Sequence, residues 1–293
     1  NHVFGRTGPE PPHDPSIASP GRIGAGWAIF RPMWPLFLIG CTPDNAPKGP
    51  APATKAVIVV MDGVRLTESF ASGGTVPETG EDTASYLPRI RSELFPHGTL
   101  VNHAFSVGIT TTTPAHCSLF TSNLLPVGRP TIDDQKPELP GIFEALAEAW
   151  PGATGLLLGN TNHLDALDHS IYPGFSSIIE RIDLDPEEDR KVMEAARVRL
   201  ATDPVDLVLL NLHHADNVAH ASSDFTKYAD AVRAQDALIA DFWTFLQASE
   251  YYRDQTVMVV VADHGRHNTD TTGSFQEHGD ACSGCRQVRR STN

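Results

Sequence analysis

Continuous β-branched runs constrain this chain more than any other feature. Ala56-Val57-Ile58-Val59-Val60-Met61 has no polar face to offer water, so it reads as a strand buried on both sides, the kind found in parallel sheets. Two runs match it, Val205-Asp206-Leu207-Val208-Leu209-Leu210-Asn211-Leu212 and Thr256-Val257-Met258-Val259-Val260-Val261. Gly155-Leu156-Leu157-Leu158 is a weaker fourth. Helical patterns lie between them. Ile142 to Trp150 is short and Ala-rich, and Asp185 to Leu200 opens with acidic residues and carries Val192, Ala195, Ala196 and Leu200 on one side. The longest runs from Ser223 to about Ala248, where Phe225, Tyr228, Val232, Ile239, Phe242 and Leu246 recur at three- and four-residue steps. Such a stripe belongs to a helix covering a sheet. Strands alternating with helices predict an α/β sandwich, its central sheet mostly parallel and flanked by helices.

Residues 55–293 show no internal repeat and no sharp break, so they read as one domain. The net charge of -14, from 22 Lys+Arg against 36 Asp+Glu, repels phosphate backbones and excludes a sequence-independent nucleic-acid binder. Four cysteines are too few for a disulfide scaffold. Residues 1–54 stand apart. Their first part is rich in Pro, Gly and polar groups and reads as disordered. An apolar stretch follows from Ile23 to Gly40, interrupted by Arg31, Pro32 and Pro35, and too broken for a membrane span. It ends in Leu38-Ile39-Gly40-Cys41, which resembles the lipobox of bacterial lipoproteins. The expectation is a lipid on Cys41 and an extracytoplasmic, membrane-attached protein.

In an open α/β sheet ligands bind beyond the carboxyl ends of the strands, and each strong run delivers an acidic residue there. The first is followed at once by Asp62-Gly63, the second by His213-His214-Ala215-Asp216, and the third by Ala262-Asp263-His264-Gly265. A lone aspartate at such a place usually caps a helix. Three of them, two with close histidines, point to a metal. Asp216 and His220 are four apart and share one face of a helical turn. Asp263 and His264 are adjacent and converge only through an irregular turn, which Gly265 permits. His278 lies in a loop-like Glu277-His278-Gly279-Asp280. Carboxylate with imidazole suits zinc, and also manganese or iron. Thr110-Thr111-Thr112-Thr113-Pro114 places hydroxyls at a helix start, where the dipole favours a negative centre. A threonine there is an ordinary cap unless a metal lies beside it, in which case it is well placed as a nucleophile.

Assembled, these residues resemble the alkaline phosphatase superfamily, and within it the type I phosphodiesterase/nucleotide pyrophosphatase branch. Asp62-Gly63-Val64-Arg65 looks like that branch's D-G-x-R, and Thr112-Thr113-Pro114-Ala115-His116 is similar to its T-x-P-x-H. Asp216-Asn217-Val218-Ala219-His220 resembles D-x-x-G-H, with Ala for Gly, while Asp263-His264-Gly265 and His278-Gly279 match D-H-G and H-G. The resemblance implies two divalent metal ions, usually zinc. Asp62, Thr112, Asp263 and His264 would hold one; Asp216, His220 and His278 would hold the other. It implies a small anionic ester substrate and hydrolysis of phosphate esters through a phospho-threonine at Thr112. An Asn or Arg usually contacts the phosphoryl oxygens, for which Asn123, Asn160 and Arg65 are candidates. Sulfatases share the fold but need a convertible Cys or Ser and an Arg where this chain reads T-T-P-A-H. Hydrolysis of sulfate or phosphonate esters without formylglycine stays open, as does a catalytically impaired surface lipoprotein. Family members continue past H-G, so the chain is expected to be truncated and to leave an exposed sheet edge. Cys282 and Cys285 read as a local disulfide or as two free thiols.

Overall fold

The computed structural model describes residues 53–101, 109–122, 137, 139–161, 164, 167, 179–184, 188–267 and 275–278. All of them fall in one compact unit, residues 49–293. The expected lipobox with Cys41, the candidate Asn123, the Cys282–Cys285 pair and the expected truncation lie outside the described residues. Among the described residues, no helix is long and apolar enough to cross a membrane.

Five strands form one sheet: β1 (Lys55–Met61), β2 (Gly155–Gly159), β3 (Ile179–Asp183), β4 (Leu207–Leu212) and β5 (Thr256–Val261). Their order is β3-β2-β4-β1-β5, and every neighbouring pair is parallel. The helices are α1 (Thr112–Thr121), α2 (Ile142–Ala149), α3 (Asp189–Thr202), α4 (His214–Ala221) and α5 (Phe225–Ala248). This is the α/β sandwich expected from the alternating pattern. Register decides what it can do. Met61 lies opposite Leu212, Val60 opposite Val261, and Gly159 opposite Asn211, so β1, β2, β4 and β5 end along one edge.

Uniformly apolar strands serve two cores because successive side chains point to opposite faces. Val57, Val59 and Met61 join Val208, Leu210 and Leu212 under α3, α4 and α5. Val60, Leu157, Leu207 and Leu209 pack against Phe120 of α1 and Phe143 of α2. The predicted stripe of α5 is the buried one, with Tyr228, Val232, Ile239, Phe242 and Leu246 all in the first core. Truncating Phe242 to Ala should cost about 3–5 kcal/mol.

The structure departs from the sequence reading at the two strands that, among the described residues, end the sheet. β3 has no apolar run; its Ile-Glu-Arg-Ile-Asp mixes polar and apolar residues on both faces, with Glu180 exposed and Arg181 and Ile182 half-buried. β5 reads like a fully buried strand, yet Val257 and Val259 are 50% and 46% exposed. Among the described residues β5 is paired on one side only, with β1. Helix α3 begins at Asp189, after the extended Glu188, four residues later than the acidic pattern suggested.

Candidate metal centre

β1 overruns by one residue into Asp62, whose N–H still donates to Leu212 O at 3.1 Å. The sheet therefore fixes its backbone, and its side chain is buried. Gly63 turns the chain at φ +69°, and a Cβ there would collide with the Asp216 carboxylate. Only glycine meets both conditions. Beyond β5, Asp263 Oδ1 accepts from Gly63 N at 3.1 Å and from His264 N at 2.8 Å, lacing the ends of β1 and β5 together. His264 Nε2 then lies 3.3 Å from Asp62 Oδ1 and 3.4 Å from Asp263 Oδ2. Thr112 opens α1, and its buried hydroxyl is 3.4 Å from His264 Nε2 and 3.5 Å from Asp62 Oδ1.

A layer behind this group holds it in place. His116 follows Thr112 by one helical turn and places Nδ1 2.8 Å from Thr112 O and 3.2 Å from Asp263 Oδ2. Its Nε2 is 3.0 Å from Asn211 Oδ1, and Asn211 Nδ2 donates to Asp62 Oδ2 at 3.1 Å. A carboxylate cannot donate, so the Asn211 amide orientation is fixed and both ring nitrogens of His116 face acceptors. That arrangement demands an imidazolium. Burial opposes the charge, but the Asp263 carboxylate outweighs it and lifts His116 to about 9.

Asp216, in the first turn of α4, gathers a second group. His220 and His213 reach its Oδ2 at 3.3 and 3.4 Å, and His278 Nε2 is 3.7 Å from its Oδ1. His220 Nε2 and His278 Nε2 are only 2.7 Å apart. Arg266 closes the other side, with Nη2 bonded to Asp216 Oδ1 and, at 2.9 Å, to Asp216 O. The two groups meet, for His264 and His278 have ring centroids 4.1 Å apart.

Every sequence-predicted metal ligand is thus brought to one place. Asp62, Asp263 and His264 have ligand atoms within 4.8 Å of one another, as do Asp216, His220 and His278. Buried carboxylates facing imidazole nitrogens, with two of those nitrogens converging beside one aspartate, fit divalent cations.

The comparisons with known proteins agree. Residues 153–278 match the family model of the Metalloenzyme superfamily. That span takes in Asp216, His220, Asp263, His264 and His278; Asp62, just past β1, and Thr112, at the start of α1, lie before it. A solved protein of the alkaline phosphatase superfamily from Vibrio parahaemolyticus is 14% identical with a TM-score of 0.52, over 77% of this chain and 58% of that one. Murine ectonucleotide pyrophosphatase/phosphodiesterase 5, as an inactive variant with AMP, is 17% identical with a TM-score of 0.53, over 72% and 57%. The C-terminal periplasmic domain of the phosphoethanolamine transferase EptC from Campylobacter jejuni is 12% identical with a TM-score of 0.52, over 78% and 73%. The fold is that of the alkaline phosphatase superfamily. This chain spans under two thirds of the Vibrio and murine structures it matches. No curated protein matches it significantly by sequence.

Within this superfamily fold, two of the candidate anion contacts, Arg65 and Asn160, are engaged with protein groups. Arg65 is buried between Phe225 and Phe275, and its guanidinium pairs with Glu68 and Glu78 and donates to His267 O. Asn160, just past β2, donates from Nδ2 to the Asp189 carboxylate and accepts from His213 N, so both ends of its amide are engaged. The sequence assigned no role to Asn211 or Arg266, and offered His116 only as the last residue of T-x-P-x-H and His213 only as a neighbour of Asp216. Asn211 carried a signal all the same, being a polar residue inside an apolar strand run.

The electrostatics express the crowding of three carboxylates. Burial opposes charge on His264, but Asp263, Asp62 and Asp216 outweigh it and lift the ring to about 10. Burial would raise Asp216, but the hydrogen bonds from His213 and His220 and the charge of Arg266 hold it well below the usual carboxylate range. Burial, with the charged His264 beside it, pushes His278 down to about 3.

Proposed function

We propose that this chain is a metal-dependent phosphate-ester hydrolase, acting on a small anionic mono- or diester with Thr112 as nucleophile. One observation carries the reading: the Thr112 hydroxyl, at the start of α1, lies within 3.5 Å of both Asp62 and His264 in a buried cluster of cation ligands. Asp62, Asp263, His264 and Thr112 would hold one divalent cation, and Asp216, His220 and His278 a second, with zinc the best fit and manganese or iron admissible. Such cations polarise a phosphoryl oxygen and lower the pKa of a bound hydroxyl or water.

The chain's own residues do the rest. The first turn of α1 favours negative charge at Thr112. Asn211 and His116 keep the Asp62 and Asp263 carboxylates aimed at the threonine side. Attack forms a Thr112 Oγ1–phosphorus bond as the ester oxygen leaves; water then breaks that bond and restores the hydroxyl. In transfer, an alcohol replaces the water, and the Campylobacter neighbour is a transferase.

The test is elemental analysis of the purified protein with a panel of p-nitrophenyl phosphate, bis-p-nitrophenyl phosphate and the sulfate and phosphonate analogues, with and without chelator. Chelator-sensitive turnover of a phosphate ester, lost in Thr112→Ala with metal retained, supports the reading. Preference for a sulfate or phosphonate ester moves the substrate class, and no turnover despite bound metal supports the impaired surface lipoprotein. The same proposal places the protein outside the cytoplasm on a lipidated Cys41. Failure of Cys41→Ser to release it from the membrane fraction would refute that placement.

A further inference from the structure

Arg266 comes directly after Asp263-His264-Gly265 and turns its guanidinium back into the cluster. Its side chain is 0% exposed. Nη2 holds Asp216 Oδ1 and Asp216 O, and Nη1 donates to Phe275 O at 3.3 Å. Nε has no partner among the described residues. Its backbone forms an isolated bridge with His278, so the guanidinium is tied to the same turn as one of the second-site ligands. A buried guanidinium is effectively always charged. Here it occupies one oxygen of the only carboxylate in the Asp216, His220 and His278 set.

We propose that Arg266 is a built-in cation that competes for Asp216, so that the two metal sites are unequal. The inner site, at Asp62, Asp263 and His264, keeps its ion. The outer site, at Asp216, His220 and His278, binds a weak and exchangeable one. Charge supports the asymmetry. One divalent cation together with Arg266 already offsets the three buried aspartates, and the His116 imidazolium adds further positive charge, so a second cation leaves an excess that a bound anionic ester must offset. Exposure agrees, since Asp62, Asp263 and His264 are buried while the His220 side chain is 43% exposed. The outer ion is therefore recruited together with the negatively charged substrate.

This inference rests on the two-cation reading above, and its test separates the two. The full chain is loaded with excess Zn²⁺, desalted, and its retained ions are counted; Zn²⁺ is then titrated against a chromophoric chelator, with and without inorganic phosphate. The wild type should retain one ion per chain, take up the second in a separate, weaker step, and tighten that step when phosphate is present. Arg266→Gln should retain two and tighten the second step at least 10-fold. Two equally tight ions in the wild type, or an unchanged second step in Arg266→Gln, would overturn the role of Arg266 while leaving the two-cation reading standing. No ion at either step overturns both. Should Arg266→Gln fail to fold, His220→Ala decides, because an exposed side chain can be removed safely. Loss of the weak step alone supports the proposal, and loss of the retained ion overturns it.

Discussion

Asp263 and Asp216 are both buried aspartates beyond strand ends, yet different kinds of partner hold them. Asp263 accepts from two backbone N–H groups, Gly63 and His264, and meets His116 from α1. Asp216 is surrounded by side chains: His213, His220, His278 and Arg266. Backbone donors are fixed by the sheet itself, so the inner group is as rigid as β1 and β5. Side-chain partners can turn away when a cation arrives. The inner half is thus built into the fold and the outer half is rearrangeable, a contrast that substitutions and pH can probe.

The largest expected effect is that of Thr112→Ala, a fall in kcat/KM on the order of 10⁴-fold or more with inner metal retained. Substantial residual turnover would remove the covalent step. Next comes Asp263→Asn, which keeps an oxygen to accept from Gly63 and His264 but leaves His116 facing an amide NH2 in place of its carboxylate. Breaking such a buried charge network should cost about 3–5 kcal/mol by urea denaturation, together with the retained ion. Asp216→Asn should cost less, about 1–3 kcal/mol, because Arg266 keeps two backbone carbonyls and the imidazoles can reorient. A larger loss for Asp216→Asn than for Asp263→Asn would invert the contrast.

Smaller again is Asn211→Leu, which deletes the link between His116 and Asp62 without touching the threonine. Loss of about 10- to 100-fold in metal affinity or activity is expected, with the inner step affected and the outer step spared. The last test uses pH. In metal-free protein His116 and His264 are raised to about 9 and about 10, so folding binds protons that the unfolded chain has released. Their stabilisation is complete below about pH 6.5 and is lost as pH climbs through 9 to 10, at up to about 1.4 kcal/mol per pH unit for each proton. Chelated protein should lose stability from pH 7 to 10, and Zn²⁺ should flatten the slope. An identical slope in both states would show that cations do not replace those protons.

Much of the architecture was legible along the chain. The runs at β1, β4 and β2 announced themselves because strands covered on both faces cannot tolerate many polar residues. Asp62, Asp216 and Asp263 were visible from their places just beyond the ends of such runs. The i,i+4 spacing of Asp216 and His220 survived as two neighbours on α4. β3 was hidden because its five residues carry neither an apolar run nor an alternation, and the burial of β5 was overread because, among the described residues, Val257 and Val259 are exposed. Arg65 looked available only because Glu78 and Phe275 are distant in sequence.

What the sequence determined alone is where the reactive groups stand along the chain, since local pattern sets strand ends and helix starts. What the tertiary structure decided is which group faces which. His116 meets Asn211 across 95 positions, and Arg266 meets Asp216 across 50. Those pairings depend on how strands order themselves in a sheet and how helices pack over it, and no spacing rule along the chain encodes that.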